Sequence, residues 1–342
     1  MTIDLTLACT NYDWTRPLWT GEIEPEGIDL HLVDYHNPER FERMVRHREF
    51  DACELSLGSY LSSRAATEDY PFTAIPAFPY RKFRHGFIYR RADDEFGLSD
   101  LNHKDVGLIH WQTTTAVWQR GIVSEHYDVD LETITWHTTK SESDIVPVEV
   151  PERFDVVHDH REGRATAALA SMLRAGEIDA AFSTVPLDVV FPAGSSERAG
   201  DDGEHDSDDD GVEVGIERVV DDSRAVEADY YRETGIFPTM HTVVLSDDVL
   251  DQYPWVANKL YEAFEQSLSI CMDRLAEPRW FPLAWANQYV EHQREVLGEN
   301  PWEYGLTAEN RTALSTLQRY AADHGLIPEP YPLDELFVAS TV

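Results

Sequence analysis

The order of strand-like and helix-like segments most narrowly limits the fold of this chain. In the first hundred residues, short apolar segments alternate with segments of helical periodicity. The predicted strands are 3–9, 28–34, 50–55, 72–78 and 86–90, and the predicted helices are 38–48 and 57–66. A strand–helix–strand order of this kind predicts a mainly parallel sheet covered by helices, which is the α/β class.

A second unit of the same kind begins near residue 98. Its predicted strands are 106–109, 133–137 and 178–183, its predicted helices are 115–125 and 171–175, and a later strand is predicted at 242–245. The rest of the chain reads as helical to about residue 325. Segment 194–211 (GSSERAGDDGEHDSDDDG) is acidic and has no apolar anchors, which predicts a solvated surface insertion.

The charge of the chain excludes several classes of partner. Against 64 Asp and Glu stand 28 Lys and Arg, a formal net charge of -36, and only four of the basic residues are lysine. Such a surface disfavours nucleic acid and anionic membranes, because both need a basic footprint. An acid-rich, lysine-poor surface on a well-packed chain is typical of a halophilic protein, since dense salt screens the repulsion between carboxylates.

Cysteines and targeting signals place further limits. Cys9, Cys53 and Cys271 are far apart and follow no finger or CxxC spacing, so neither a disulfide framework nor structural zinc is indicated. No apolar stretch is long enough to span a membrane. The first residues lack a basic region before a short apolar run, so we predict no signal peptide and a cytoplasmic location. The oligomeric state stays open, a homo-oligomer included.

Four polar loci lie at the predicted ends of strands, where open α/β sheets bind ligands. They are 11–16, 54–56, 79–85 and 110–114. In the third locus, Arg81, Lys82, Arg84 and His85 form a cationic cluster in a chain that has few cations. Arginine suits the bidentate capture of a carboxylate, which indicates an anion site, although neutralising nearby acids would be an ordinary structural role.

The fourth locus opens a helix and offers the same alternatives. Backbone N–H groups and the hydroxyls of Thr113 and Thr114 could bind an anion or could cap the helix. A metal site is only weakly indicated, because 158–160 (HDH) lacks further ligands at a recognisable spacing. Glycine-rich phosphate loops, GxSxG and HExxH are absent, so the sequence predicts neither a cofactor nor a metal.

At these loci the sequence resembles the 4,5-dihydroxyphthalate decarboxylase family. The segments that carry the resemblance are 16–18 (RPL), 25–30 (PEGIDL), 50–56 (FDACELS), 83–85 (FRH), 114–122 (TTAVWQRGI) and 235–241 (GIFPTMH). The similarity runs in order from about residue 3 to beyond 320, and only 194–211 has no counterpart. The resemblance implies the type II periplasmic-binding-protein-like fold, in which two α/β lobes hold a ligand cleft between them.

Two crossing strands near 91–98 and 228–236 would then join the lobes. Lobe 1 would comprise 1–95 and 233–342, and lobe 2 would comprise 96–232 with the acidic insertion. The implied activity is cofactor-independent decarboxylation of a small anionic hydroxylated aromatic dicarboxylate, 4,5-dihydroxyphthalate, to protocatechuate and CO2. The alternative is a substrate-binding protein for a small carboxylate that serves a transporter. Enzymes of menaquinone or thiamine-pyrimidine synthesis share the fold and form a third class.

Each candidate residue is assigned a role in that reaction. Glu54 is the predicted base and His85 the predicted acid, with His241 in reserve for either role. Arg16, Arg81 and Arg84 would hold the substrate carboxylates with Thr113 and Thr114, and Trp111 and Trp118 would stack on the ring. The remaining predicted substrate-binding residues are Tyr12, Ser56, Gln112, Ser183 and Thr184.

The charge yields a first testable prediction. If the net charge of -36 reflects adaptation to salt, the folded state needs molar KCl, because its surface carboxylates otherwise repel each other unscreened. Thermal melts in increasing KCl should therefore show a rising Tm. A Tm that does not change between low and molar KCl would contradict the halophilic interpretation.

Overall fold

The structure, a computed structural model, describes residues 2–67, 70–187, 215–277, 279 and 282–342. The chain divides into two compact units. Unit 1 contains Met1–Lys82, Ala228–Arg319 and Ile327–Val342, and unit 2 contains Phe83–Glu227 and Tyr320–Leu326. These breaks come earlier in the chain than the predicted lobe boundaries at 95 and 232. The predicted acidic insertion at 194–211 lies outside the described residues.

The described residues form the following elements in chain order. The strands are β1 (Ile3–Ala8), β2 (Ile28–Val33), β3 (Ala52–Ser56), β4 (Phe72–Ile75), β5 (Ile88–Arg91), β6 (Asp105–Leu108), β7 (Thr135–Thr138), β8 (Asp155–His158), β9 (Ala180–Phe182), β10 (Ile216–Arg218) and β11 (His241–Ser246). The helices are α1 (Arg16–Trp19), α2 (Asn37–His47), α3 (Leu57–Ala66), α4 (Thr114–Tyr127), α5 (Ala165–Ala175), α6 (Ser223–Thr234), α7 (Asp247–Gln252), α8 (Val256–Leu275), α9 (Ala286–Leu297), α10 (Ala308–Asp323) and α11 (Leu333–Leu336). Within the described ranges, no helix is long and apolar enough to cross a membrane.

The sheet of unit 1 has the order β2-β1-β3-β11-β4. Strand β1 runs parallel to β2 and β3, whereas β11 is antiparallel to both of its neighbours, β3 and β4. All five residues of β3 are buried, as expected for a central strand covered on both faces. Strand β11, which is far from β3 in the sequence, therefore lies next to this central strand and runs antiparallel to it.

The sheet of unit 2 has the order β10-β5-β9-β6-β7-β8. The β9-β6-β7-β8 part is parallel, and β5 is antiparallel to β9 and to β10. The sequence analysis missed β8 and β10 because both are edge strands whose residues are largely exposed or half-buried. The predicted α/β class, with two mixed sheets flanked by helices, is confirmed.

The core of unit 2 joins α5 to the sheet. Its buried members are Tyr89, Leu169, Met172, Leu173, Ile178 and Ala181. On the other helix, Gly121 of α4 faces the ring of Tyr320, and a Cβ at this position would come within 2.1 Å of a ring carbon. Because glycine has no side chain, segment 320–326 packs directly on α4, which explains why it belongs to unit 2.

His137 in β7 forms an ionic link across the parallel strands of unit 2. Its Nε2 lies 2.9 Å from Oδ1 of Asp105, and its Nδ1 lies 2.7 Å from Oδ2 of Asp159. Partial burial lowers the pKa of His137, but hydrogen bonds to the two aspartates outweigh that effect and raise the pKa above its ordinary value. The link is therefore tightest when the imidazole is protonated.

This link predicts a pH-dependent contribution to stability. A group whose pKa is higher in the folded state than in the unfolded state stabilises the fold. Its contribution to the free energy of unfolding is complete below the unfolded-state pKa and is lost as pH rises through the folded-state pKa. Urea unfolding at constant salt, from about pH 5 to about pH 9, should show the largest destabilisation of His137→Gln at acid pH. The exposed His47→Gln is the control and should show no such trend. A His137→Gln deficit that is independent of pH would contradict the prediction.

Candidate active site

The predicted site residues lie in both units. Unit 1 contains Tyr12, Arg16, Glu54, Ser56, Arg81 and His241. Unit 2 contains Arg84, His85, Trp111, Gln112, Thr113, Thr114, Trp118, Ser183 and Thr184. In unit 1, Tyr12 and His241 each contact Glu54 directly.

Strand register brings Glu54 and His241 together. In the antiparallel pair of β3 and β11, Ser56 lies opposite His241 and Glu54 lies opposite Val243. Because side chains alternate along a strand, Glu54 and His241 are on the same face of the sheet. Thr10, just after the neighbouring strand β1, donates its backbone N–H to the Glu54 carboxylate at 3.0 Å. Three strands thus converge on one carboxylate.

The Glu54 side chain is fully buried and accepts hydrogen bonds on both oxygens. Oε1 accepts from the Tyr12 hydroxyl at 2.8 Å and from Nδ1 of His241 at 2.6 Å. Oε2 lies 2.9 Å from Nη2 of Arg40. Burial would raise the pKa of Glu54, but Arg40 foremost, then His241 and Thr10, hold the pKa well below its ordinary value. Glu54 is therefore a carboxylate at neutral pH.

Arg40 in α2 is also fully buried, and its guanidinium is saturated with acceptors. Nε donates to the backbone oxygen of Glu54 at 3.1 Å. Nη1 donates to Oγ1 of Thr10 at 2.8 Å and to the Tyr35 carbonyl at 3.2 Å. Nη2 donates to Oδ1 of Asn37 at 2.7 Å, in addition to its contact with the Glu54 carboxylate. All five N–H groups of the side chain have an acceptor.

Arg40 is the member of this buried cluster that was not predicted from the sequence. The buried face predicted for its helix consisted of Phe41, Met44 and Val45, and an arginine beside such a face reads as an exposed side chain. The nearest signal is the position of Arg40 in the first turn, two residues after Pro38. That signal does not show that a buried acid lies opposite.

The imidazole of His241 is held from several sides. An ionised carboxylate only accepts, so the hydrogen between Glu54 and His241 lies on Nδ1. The ring also meets Phe41 edge-on at 5.3 Å between centroids and lies 5.0 Å from the ring of Tyr80. These contacts fix the orientation of the ring and leave Nε2 as the nitrogen that Glu54 does not engage.

Aromatic side chains flank this cluster. Tyr12 stacks on Trp14 with 4.7 Å between centroids and 9° between planes, and it lies parallel to Tyr80 at 5.9 Å. Burial, and next the charge of Glu54, raise the pKa of Tyr12 well above its ordinary value. Tyr12 therefore stays a neutral phenol that donates to Glu54. We call Tyr12, Trp14 and Tyr80 the aromatic stack.

Arg81 is a buried cation with uncharged partners. Nη2 donates to Oδ1 of Asn310 at 2.7 Å and to the Glu303 carbonyl at 3.1 Å, and Nη1 reaches the Phe237 carbonyl at 3.5 Å. Burial lowers the pKa of Arg81 to about 10, so it remains charged at neutral pH. None of these acceptors carries a charge that would neutralise that of Arg81.

The other two predicted residues of unit 1 have local contacts. Arg16 is about half exposed and pairs with Asp13 at 3.2 Å. Ser56 caps α3, where its Oγ accepts from the backbone N–H of Ser59 at 3.5 Å. Their predicted role in substrate binding stays a prediction.

In unit 2, His85 and Arg84 lie side by side and are both buried. Burial, and next the charge of His126, lower the pKa of His85 to about 4. His85 is therefore neutral at neutral pH and holds no proton that it could give up as an imidazolium. Arg84 donates to the Thr184 carbonyl at 3.1 Å and lies over the ring of Phe87.

The residues at the start of α4 are tied into the interior of unit 2. The indole N–H of Trp111 donates to the His324 carbonyl at 2.9 Å, and the guanidinium of Arg120 lies 3.7 Å from the centre of the indole. The side-chain amide of Gln112 donates to the carboxylate of Glu142 at 3.0 Å. These contacts occupy the indole N–H of Trp111 and the side-chain NH2 group of Gln112. The predicted roles of both residues in substrate binding stay predictions.

The remaining predicted residues of unit 2 are close to the same helix or to β9. Trp118 meets the ring of Tyr320 edge-on at 5.7 Å. Thr113 is the N-cap residue of α4 and Thr114 its first residue, without a side-chain cap from Thr113. Ser183 donates its hydroxyl to the Val185 carbonyl at 2.7 Å.

One group of side chains in the described residues has the spacing of metal ligands. Asp4, Asp29 and His31, on β1 and β2, each offer a ligand atom, and these atoms lie within 4.8 Å of one another. All three residues are exposed, and none was predicted as a site residue. Exposed acidic groups of this kind are common without an ion, so we assign no metal here.

Solved structures similar to this chain include binding proteins and an enzyme. The periplasmic aliphatic sulphonate binding protein SsuA from Escherichia coli has a TM-score of 0.53 at 10% identity, over 98% of this chain and 91% of that one. The desulfurization enzyme DSZB has a TM-score of 0.54 at 13% identity, over 99% and 98% of the two chains. At this identity the likeness shows the fold alone, the predicted periplasmic-binding-protein-like fold.

Sequence comparison identifies the family. No protein-family model matches the sequence. A 4,5-dihydroxyphthalate decarboxylase from Comamonas testosteroni is 30% identical over 315 residues, which cover 90% of this chain and 88% of that protein. Another from Pseudomonas putida is 34% identical over 183 residues, 52% of this chain and 69% of that protein. The chain therefore belongs to the 4,5-dihydroxyphthalate decarboxylase family.

Proposed function

We propose that this protein is a carboxy-lyase that converts 4,5-dihydroxyphthalate to protocatechuate and CO2, with His241 as the proton donor. Membership of the family supports the reaction. The observation that carries the role of His241 is its contact with Glu54, a buried carboxylate 2.6 Å from Nδ1. A histidine aligned by a carboxylate is a common device for moving a proton in an active site.

The reaction needs a proton at the ring carbon that loses its carboxylate. Direct loss of CO2 would leave an aryl carbanion without a stabilising group. Protonation at that carbon first forms a new C–H bond, and the para hydroxyl supplies the electron density. The C–C bond to the carboxylate then breaks, its electrons restore the aromatic ring, and CO2 departs. One proton is consumed, and the catechol hydroxyls keep theirs.

His241 has the features that this step requires of a donor. The Glu54 carboxylate keeps Nδ1 protonated and stabilises the positive charge of an imidazolium. The second proton of that imidazolium lies on Nε2, which is the atom that would give it to the ring carbon. Phe41 and Tyr80 hold the imidazole plane, so the proton has a fixed direction.

This proposal changes two of the roles expected from the sequence. Glu54 was the expected base, but its ion pair with Arg40 makes it a poor proton acceptor, so we assign it the positioning of His241. His85 was the expected acid, but its lowered pKa of about 4 leaves it neutral at neutral pH. His241, the residue held in reserve, takes the role of the acid.

Replacement of His241 tests the proposed donor. His241→Gln should lower kcat by about 10²- to 10⁴-fold, because the proton then has to come from solvent, while substrate binding persists. In D2O the wild-type product should carry deuterium at the carbon that bore the carboxylate. CO2 release and mass spectrometry of the product provide the two measurements, with the exposed His47→Gln as a control of wild-type rate.

Two results would contradict this assignment. A wild-type kcat in His241→Gln would exclude His241 as the donor. Tight binding of 4,5-dihydroxyphthalate without any CO2 release from the wild-type protein would favour a substrate-binding protein over an enzyme.

Arg81 is our candidate for holding a substrate carboxylate. Its buried charge has only neutral acceptors, so Arg81→Met should raise KM by about 10- to 100-fold through the loss of a charged hydrogen bond. Steady-state kinetics and a thermal melt should be measured together, with the exposed Arg46→Met as the comparison. A lower Tm with an unchanged KM would mean that Arg81 only anchors segment 303–310.

A further inference from the structure

Arg40 contacts Glu54 twice, and the substrate is not needed to explain either contact. Its Nε donates to the backbone oxygen of Glu54, and its Nη2 lies 2.9 Å from the carboxylate. The remaining N–H groups go to Thr10, Tyr35 and Asn37. Because all five donors are used inside the protein, Arg40 is not a substrate ligand. Its position has to be explained by what it does to Glu54.

We propose that Arg40 is a positioning residue that fixes the Glu54 carboxylate as an acceptor-only partner of His241, so that the proton used in the reaction stays on the imidazole. This inference rests on the proposed function, because it takes His241 as the proton donor. Arg40 lies in α2, the helix that packs on β3, and it contacts Glu54 rather than the substrate.

The charged and titratable groups around Glu54 support this role. They come from several elements of unit 1 and are Cys9, Tyr12, Asp34, Arg40, Cys53, His241 and Tyr304. Burial raises the pKa of Cys9, Tyr12 and Tyr304, and raises the pKa of Cys53 to about 12, so these four are neutral at neutral pH. Asp34 is an acid. Arg40 is thus the permanent cation of the set.

Protonation of Glu54 would disrupt its hydrogen bond with His241. A carboxylic acid donates one hydrogen bond and would compete with Nδ1–H of His241 for the same contact. The imidazole would then change its tautomer or turn, and Nε2 would no longer present a proton in a fixed direction. In the catalytic triads of serine proteases, loss of the carboxylate that orients the histidine leaves the histidine in the wrong tautomer. The cation that prevents this is Arg40.

The shape of the guanidinium explains why this cation is an arginine. Its five donors lie in one plane and reach acceptors just after β1, in the loop before α2, in the first turn of α2 and in β3. An ammonium would keep the charge but has only three donors. Arg40→Lys should therefore keep Glu54 ionised while it loosens the position of the carboxylate, and Arg40→Met should remove both effects.

The test compares Arg40→Met, Arg40→Lys and Glu54→Gln with the control Arg46→Met, an exposed arginine of the same helix that pairs with Glu42. Two readouts are recorded across pH in molar KCl. One is kcat for CO2 release. The other is ¹⁵N NMR of the His241 ring, assigned by its loss in His241→Gln, which reports which nitrogen carries a hydrogen.

We expect distinct responses from the variants. In Arg40→Met the uncompensated, buried carboxyl takes up a proton at higher pH, so the acid limb of kcat moves to higher pH and the His241 signals shift with it. Arg40→Lys should keep the wild-type position of that limb, with kcat reduced about tenfold. Glu54→Gln should lose about 10²-fold in kcat, without that acid limb. Arg46→Met should match the wild type in both readouts.

The proposal fails if Arg40→Met lowers Tm but leaves the acid limb and the His241 ring signals unchanged, because Arg40 would then only stabilise the fold. If Arg40→Met does not fold, Arg40→Lys and Glu54→Gln test the proposal instead. An acid limb that is displaced in Arg40→Lys, although the lysine keeps the positive charge, would overturn the proposal. A wild-type kcat in Glu54→Gln would also overturn it. The NMR readout needs no turnover. A wild-type protein that releases no CO2 would therefore refute the proposed function while the role of Arg40 is still decided.

Discussion

A carboxylate buried in the central strand of unit 1 is the constraint on which the rest of this site depends. An ionised group removed from water costs several kcal/mol unless an opposite charge and hydrogen bonds replace its hydration, and loss of one partner from a buried pair typically costs about 3–5 kcal/mol. Glu54 meets this requirement with Arg40, Thr10, Tyr12 and His241. Strands β1, β3 and β11 and helix α2 must therefore be in place together. The same contacts that make the carboxylate tolerable also orient the imidazole.

Unit 2 buries charged groups in a different way. Arg120 is fully buried, lies against the face of Trp111 and donates to its carbonyl at 2.9 Å. Burial lowers the pKa of Arg120 to about 9. Glu142 accepts from Gln112, and burial raises the pKa of its carboxyl. Arg120 and Glu142 attract each other, but burial still moves the pKa of each toward the neutral form. In unit 1 the contact between Arg40 and Glu54 instead keeps the pKa of Glu54 below and that of Arg40 above the ordinary value, so both stay charged.

The fold does not decide between binding and catalysis, since sulphonate-binding proteins and a desulfurization enzyme share it. The difference lies in a few side chains. A receptor needs groups that match the ligand in its ground state, whereas a decarboxylase needs a proton in a defined direction as well. Under the proposed function, the Glu54–His241 contact is of the second kind, because a carboxylate that only accepts gives the imidazole a fixed tautomer. Arg81, with its neutral acceptors, offers what either class of protein would use to hold an anion.

The sequence alone determined the α/β class, most of the buried strands and the family resemblance, because apolar periodicity and short motifs are local properties of the chain. It also placed Glu54 among the candidates, since Glu54 lies at a predicted strand end, and His241, since segment 235–241 resembles the family. Their roles depended on the tertiary structure. His241 is 187 residues away from Glu54, and Arg40 reaches the same carboxylate from a helix whose pattern shows no buried arginine. A pKa is set by the neighbours that a side chain meets in the fold. The sequence therefore supplied Glu54, His241 and Arg40. Only the antiparallel pairing of β11 with β3 and the packing of α2 brought them together, and these contacts decide which side chain carries a proton and which carries a charge.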